Sequence, residues 1–321
     1  MRSWVIGRGL IGAAVARRLG PHRCWSPSMQ ITWDDESDRD ARIQAAAGEF
    51  LDAMGDGPWE VVWCAGAGVA GTSEAGLLAE ARAVRVLLDA LTTDRRSDGT
   101  VFLASSSSVY AGSVGAPFHE GSPVAPLSPY GFTKLDQEQA VAAWASQTGN
   151  RVVIGRIANV YGPGQDLSKP QGLVSRVCLS LLLQTPLTLY VPLDTIRDYV
   201  YVEDCAAMVV AAVDDAAAQP AGSATVRLIA TGHGVTVGHL LDVGRRVVKR
   251  RLPVVTVPSG PGVNQASDLR LDPRLPFRSE LRSVSLPVGL RRTFDRLLVQ
   301  HQTGWATDPV AEKASVPQRH H

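Results

Sequence analysis

Residues 3–12 read Ser3-Trp4-Val5-Ile6-Gly7-Arg8-Gly9-Leu10-Ile11-Gly12, and this stretch decides the fold. Ser3 to Ile6 is a short apolar run that reads as a strand, and Leu10 to Leu19 reads as a helix. Between them Gly7, Gly9 and Gly12 stand in the spacing G-x-G-x-x-G, the strand-to-helix context in which that motif binds a dinucleotide. Gly7 permits the tight turn, Gly9 lets backbone approach a pyrophosphate, and Gly12 lets helix and strand pack closely. The helix N-terminus then faces the phosphates with unpaired N–H groups and a partial positive charge. The stretch predicts an α/β fold with a doubly wound parallel sheet.

The rest of the chain continues that pattern. Trp59 to Cys64 reads as a buried strand flanked by Gly57-Pro58 and Gly66. Leu77, Leu78, Ala81, Val84, Leu87, Leu88 and Leu91 recur at helical spacing between Glu74 and Thr93, so one face packs on the sheet. Val101 to Ala104 predicts a central strand, Tyr130 to Gln147 a long helix closed by Gly149, and Arg151 to Arg156 a further strand. Short apolar runs alternating with helical stretches are the pattern of βαβ units. After Gly162-Pro163-Gly164 the pattern loosens, then predicts a helix near Leu173 to Leu183 and a strand near Leu187 to Val191. Tyr199 to Val202, a helix from Glu203 to Val213 and a strand from Thr225 to Ala230 are expected to return to the main sheet. The expected division is a dinucleotide-binding domain of residues 1–165 with 195–235, and a smaller C-terminal substrate lobe of 166–194 with 236–300. Residues 301–321 are polar, carry Pro309 and Pro317, and are expected to form a mobile tail.

NAD enzymes place an acid about 20 residues beyond the glycine turn to hold the ribose 2′-hydroxyl. Two readings compete. If His22 to Trp25 is the second strand, its end carries Ser26 and Ser28, and Arg8 is free to meet a 2′-phosphate, which favours NADP. If Met29 to Trp33 is the strand, Asp34 or Asp35 ends it and favours NAD. Arg8, inside the turn, tilts the choice slightly to NADP.

Composition narrows the class. The 321 residues are 45% hydrophobic with a net charge of +1, so the chain buries a sizeable core and has no charge excess for nucleic acid or an anionic membrane surface. The apolar stretch from Val177 to Leu193 is interrupted by Gln184 and Pro186 and is too broken to span a bilayer. The sequence enters its first strand at once, without room for a signal peptide, which points to the cytoplasm. Cys24, Cys64, Cys178 and Cys205 are scattered, with no pairing or metal-ligand spacing, so neither disulfide nor metal is expected.

Ser128-Pro129-Tyr130-Gly131-Phe132-Thr133-Lys134 places Tyr130 and Lys134 one turn apart on one helix face. A tyrosine ionising near about 10 is a poor base at neutral pH, and a neighbouring ammonium favours its phenolate. Upstream, Leu103-Ala104-Ser105-Ser106-Ser107-Ser108-Val109-Tyr110 puts serines where an apolar strand ends, at the carboxyl edge where open α/β sheets bind ligands.

With these motifs in order, followed by Arg156-Ile157-Ala158-Asn159-Val160-Tyr161-Gly162-Pro163-Gly164-Gln165 and by Arg197-Asp198-Tyr199-Val200-Tyr201-Val202-Glu203-Asp204, the sequence resembles the extended short-chain dehydrogenase/reductases. That is the family of UDP-glucose 4-epimerase, nucleotide-sugar dehydratases and 4-ketoreductases, and the likeness runs over most of residues 1–300. The resemblance implies Tyr130 as acid/base, Lys134 orienting the nicotinamide ribose and Ser106 as the catalytic hydroxyl. It implies cofactor contacts from Gly7, Arg8, Gly9, Leu10, Ile11, Gly12, Cys64, Ala65, Gly66, Tyr130 and Lys134. Substrate contacts fall on Ser106, Ser107, Asn159 and Arg197. For Arg197 the alternative is an ion pair with Asp198 or Asp204. Relatives commonly dimerise through the helices that correspond to Glu74–Thr93 and Tyr130–Gln147, so a homodimer is expected.

The chain departs from the family in two places. Dehydratases usually carry Asp-Glu after the catalytic hydroxyl residue, where this chain has Ser107-Ser108, which disfavours elimination of water. A Gly-Asp-Gly turn that often helps hold the base is replaced by Tyr190-Val191-Pro192-Leu193-Asp194-Thr195-Ile196. Arg270 lies near a position of a second phosphate contact. The expected activity is therefore NAD(P)-dependent redox or epimerisation of a nucleotide-linked sugar. Alternatives are a cofactor-sensing protein without turnover and an enzyme for a non-nucleotide substrate.

Overall fold

The computed structural model describes residues 2–66, 72–92, 98–168, 171–257, 266–281 and 283–303. The first half runs β1 (Arg2–Ile6), α1 (Leu10–Arg23), β2 (Cys24–Trp25), α2 (Glu36–Met54), β3 (Trp59–Trp63), α3 (Glu74–Thr92) and β4 (Gly99–Ser106). A 3-10 turn (Ser107–Tyr110) leads to α4 (Pro129–Thr148), β5 (Arg151–Ile157), β6 (Asn159–Tyr161), α5 (Leu173–Leu183) and β7 (Leu187–Leu189). Then come β8 (Ile196–Tyr201), α6 (Val202–Ala216), β9 (Ala224–Ile229), β10 (Gly234–Thr236), α7 (Val237–Val248), β11 (Val254–Thr256), β12 (Asp268–Leu269) and α8 (Leu286–Gln302).

Six strands form one sheet in the order β2-β1-β3-β4-β5-β9, and every neighbouring pair is parallel. Alternation of side chains builds the two layers. Val5, Val62 and Phe102 face a core shared with α1 and α6, while Trp4, Val61 and Val101 face one shared with α2, α3 and α4. Strands buried on both faces read as unbroken apolar runs, which is why β3 and β4 stand out in the sequence. The doubly wound sheet is thus present. Because β1 has β2 on one side and β3 on the other, the crevice outside their carboxyl ends is the switch point where such sheets bind ligands.

The second strand is Cys24–Trp25, paired with Ser3 and Trp4 of β1. Gly20, at φ 73° and followed by Pro21, breaks α1 before it. The alternative strand at Met29 to Trp33 does not form. Residues 26–35 are a loop tied to α2, with Ser28 held by Glu49 at 2.6 Å and Thr32 bound to Asp38. Asp35 caps α2 instead, accepting from the Asp38 nitrogen at 2.7 Å.

Tyr199 to Val202, expected in the main sheet, lies elsewhere. The outer edge of β5 is filled by β9, from Val152 opposite Ala224 to Ile157 opposite Ile229. β8 instead pairs with β6, which continues the chain one residue beyond β5, and with β10 and β12. Around this second sheet α5, α7 and α8 pack on one another, and β7 pairs with β11. The expected tail begins later than residue 301, since α8 runs through Gln302, and residues 304–321 lie outside the described residues. Among the described residues no helix is long and apolar enough to cross a membrane.

Candidate active site at the sheet switch point

Gly7 leaves β1 at φ 86°, in the left-handed region that favours glycine. A Cβ at Gly7 would stand 2.3 Å from the Ala65 nitrogen, and one at Gly12 would stand 1.8 Å from the Gly7 oxygen. Turn, helix and the exit of β3 therefore meet at backbone contact. Gly9 differs: among the described residues nothing lies within 4 Å of the place its Cβ would take, and the helix it begins has no side-chain cap. The first N–H groups of α1 thus open onto a cradle that a side chain would fill, and these residues fit a dinucleotide pyrophosphate. Leu10 and Ile11 pack half-buried behind it. Arg8 is exposed and its Nη2 reaches the Cys24 sulfur of β2 at 3.4 Å.

On the other side of the crevice, the Cys64 nitrogen donates to the Ile6 oxygen at 2.8 Å, followed by buried Ala65 and by Gly66. Burial pushes the Cys64 thiol up to about 12, against the opposing pull of Lys134 and Arg8.

Tyr130 and Lys134 are positioned by the start of α4. Ser128 accepts from the Gly131 nitrogen at 3.2 Å and Pro129 fills the first turn, so the helix begins one residue before Tyr130. The Lys134 ammonium lies 5.7 Å from the centre of the Tyr130 ring. It is buried and donates to Glu80 at 2.8 Å and to Gln137 at 3.1 Å. Burial alone lowers the basicity of Lys134, but Tyr130 and then Glu80 outweigh it and hold the group above its ordinary value.

Ser106 ends β4, and its Oγ accepts from the Ser108 nitrogen at 3.1 Å, leaving its own hydrogen to donate. Ser107 is buried, and the Ser108 hydroxyl is buried without a hydrogen-bond partner among the described residues. A Cβ at Gly131 would stand 3.2 Å from the Ser108 oxygen, so the first turn of α4 rests on this serine turn. Behind it lies a buried network. Ser105 donates to Glu138 at 2.5 Å, and Arg156 donates to Glu138 at 2.7 Å and to the Tyr110 hydroxyl at 2.7 Å.

Asn159 and Arg197 belong to the second sheet. Asn159 lies opposite Tyr199 and its Nδ2 donates to the Asp198 oxygen at 3.2 Å. Arg197 is buried, which lowers its basicity, and it donates to the Ile196 oxygen at 2.8 Å. The two carboxylates weighed as its partners are engaged elsewhere. Asp198 accepts from the Gly232 nitrogen at 2.7 Å, and Asp204 from the Val284 nitrogen at 2.7 Å. The loop after Tyr110 joins the two regions, because Phe118 exchanges backbone hydrogen bonds with Arg270 and Asp272 beside β12. A hollow of about 300 Å³ follows this loop, lined by Gly112, Ala116, Phe118, Ser267 and Asp268 among others. Arg270 is exposed and paired with Asp268 at 2.8 Å.

The structure thus gathers the glycine turn, Cys64 to Gly66, Tyr130 and Lys134 around one crevice, with Ser106 and Ser107 at the end of the next strand. Sequence reasoning missed Glu80 and Glu138. Glu138 follows Lys134 at helical spacing and was findable, whereas nothing in spacing links Glu80 to a lysine 54 positions later. Among the described residues no group of three His, Cys, Asp or Glu side chains is arranged to hold a metal.

Comparison with known proteins places these motifs in company. The model of the NAD dependent epimerase/dehydratase family matches residues 5–226. An uncharacterized UDP-glucose epimerase, YtcB of Bacillus subtilis, is 38% identical over 106 residues, 33% of this chain and 32% of that protein. A dTDP-glucose 4,6-dehydratase of Salmonella typhimurium is 30% identical over 175 residues, 51% of this chain and 45% of that protein. The chain spans about a quarter to a little under half of the length of the curated relatives it matches. Solved structures match more widely at lower identity. MoeE5 in complex with UDP-glucuronic acid and NAD aligns with TM-score 0.73 and 24% identity over 94% of this chain and 100% of that one. UDP-glucose 4-epimerase from Thermotoga maritima with UDP-glucose aligns with TM-score 0.74 and 21% identity over 94% and 100%.

Proposed function

Because the chain belongs to the NAD dependent epimerase/dehydratase family, we propose that it oxidises or reduces a hydroxyl or keto carbon of a nucleotide-linked sugar, with Tyr130 as acid/base. The carrying observation is the buried Lys134 ammonium, 5.7 Å from the centre of the Tyr130 ring. When bound, NAD(P) supplies hydride acceptance and donation. Tyr130 takes the proton of the substrate hydroxyl or returns it to the carbonyl oxygen, its phenolate favoured by the ammonium. Ser106 donates its free hydrogen to the same oxygen as charge develops there. Gly7, Gly9 and Gly12 with the N-terminus of α1 hold the pyrophosphate, and Cys64, Ala65 and Gly66 line the opposite wall. Asn159 and the buried Arg197 hold the diphosphate side of the substrate, a task suited to a guanidinium fork.

Several finer points belong to the same reading. Cys24–Trp25 ends in Ser26-Pro27-Ser28 with no acid, and Arg8 reaches this strand, which supports NADP over NAD although several structural neighbours carry NAD. Ser107 and Ser108 offer no carboxyl group for elimination, which supports epimerase or reductase over dehydratase even though dehydratases are among the relatives. The second sheet with α5, α7 and α8 forms the substrate lobe. Leu78 of α3 and Phe132 of α4 are exposed, which supports a homodimer through those helices. Reaction in the cytoplasm fits substrates and cofactors of this class.

Incubation of the protein with candidate NDP-sugars and NAD or NADP, each in its oxidised and its reduced form, tests the reading, with the nicotinamide absorbance and the sugar products followed together. Net loss of reduced cofactor marks a reductase. Product epimers without net loss mark an epimerase and reject the reductase version. No sugar conversion with any cofactor overturns both.

A further inference from the structure

Glu80 projects from α3 to the floor of the crevice, where its side chain and that of Lys134 are 9% and 5% exposed and their charges meet at 2.8 Å. Gly66 makes the approach possible, since a Cβ there would stand 2.6 Å from the Glu80 carboxylate oxygen. Three elements therefore bring a buried carboxylate and ammonium and a half-buried tyrosine to one place: α3 with Glu80, the exit of β3 with Gly66, and α4 with Tyr130 and Lys134.

We propose that Glu80 is a positioning residue for the chemistry at Tyr130: its carboxylate holds the Lys134 ammonium beside the phenol and offsets part of its charge, so that Glu80 sets the pH at which Tyr130 releases its proton. This rests on the reading of Tyr130 as acid/base. Burial disfavours the ammonium, but Tyr130 first and Glu80 after it hold Lys134 above its ordinary value, so Lys134 stays charged when the Glu80 charge alone is removed. The same carboxylate is a negative neighbour of Tyr130 and opposes its ionisation. Among the described residues, the other charged side chains on α4 are engaged. Asp136 is bound to Arg85 of α3, Glu138 to Arg156 of β5, and Arg156 also donates to Tyr110. Cys64 stays a neutral thiol at physiological pH, and Arg8, whose charge is felt at Cys64, is exposed to solvent screening.

Glu80→Gln keeps the size and the acceptor oxygen and removes the charge. The readout is tyrosinate absorbance during a pH titration of the full chain, with the matching Tyr130→Phe protein subtracted to isolate Tyr130. In Glu80→Gln the Tyr130 titration moves about one pH unit to the acid side, and the acid limb of kcat/KM moves with it. Glu80→Asp draws the charge back by one methylene and moves both by a smaller amount in the same direction. Coincidence of the Glu80→Gln titration with the wild type, with only a lowered melting temperature, overturns the proposal. If Glu80→Gln yields no folded protein, coincidence of the Glu80→Asp titration with the wild type overturns it. Full activity of Tyr130→Phe removes the acid/base reading and leaves the absorbance titration to judge the electrostatic role of Glu80 by itself.

Discussion

The guanidinium of Arg156 and the carboxylate of Glu138 meet at 2.7 Å with both side chains buried, and Ser105, beside Ser106, donates to the same carboxylate. The pair joins β5, α4 and the end of β4, so it fixes how the serine turn sits against the first turn of α4. Glu138→Gln leaves the arginine charge buried and uncompensated, which costs about 3–5 kcal/mol of stability. Urea unfolding checks this, and a double replacement of Glu138 and Arg156 by apolar residues recovers most of the loss.

The glycines of the turn divide by what surrounds them. Gly12→Ala forces a Cβ into the Gly7 oxygen, so the melting temperature falls by several degrees and cofactor binding is lost with it. Gly9→Ala points into open space and leaves the melting temperature within about 1–2 °C of the wild type. Its methyl group occupies the phosphate cradle, and the cofactor dissociation constant rises about tenfold, worth about 1.4 kcal/mol. Thermal melting and calorimetric titration of the two variants separate fold from cradle.

Arg8→Ala tests the choice of cofactor. With a 2′-phosphate contact removed, NADPH affinity falls about tenfold or more while NADH affinity stays within about twofold. Fluorescence titration with each dinucleotide measures the ratio, and an equal loss for both rejects the phosphate contact.

Cys64 titrates far above its ordinary range because burial penalises the thiolate. A thiol shifted from 9.0 to about 12 carries about a thousandfold less thiolate at neutral pH, so it resists alkylation there. The sign follows from the thiol being the favoured form: labelling begins only as pH rises toward 12. Mass spectrometry of iodoacetamide-treated protein at rising pH checks the order, and rapid labelling of Cys64 at pH 7 contradicts it.

Local signals were legible where one element carries the whole message. The spacing of Gly7, Gly9 and Gly12, the apolar runs of β3 and β4, and Tyr130 with Lys134 on one helix turn all lie within a few residues of one another. The second strand was legible only as one of two alternatives, because two paired residues, Cys24 and Trp25, leave little pattern. α2 went unread since Asp34 and Asp35 read as a strand end, whereas Asp35 is the helix cap. The place of β8 was hidden for a different reason. Its apolar run suits either sheet, and the pairing of β9 along β5, between residues 72 positions apart such as Val152 and Ala224, decides which edge is left. The contact of Glu80 with Lys134 has the same origin, since it exists only once α3 and α4 pack side by side.

We propose that the Tyr130 phenol moves the substrate proton beside a nicotinamide in the crevice of the glycine turn. Single-turnover nicotinamide absorbance with an active NDP-sugar, compared between the wild type and Tyr130→Phe, tests it most directly. The expected rate is about 10²–10⁴ lower in the variant, with the cofactor dissociation constant within about twofold. Hydride transfer at the wild-type rate in Tyr130→Phe contradicts it.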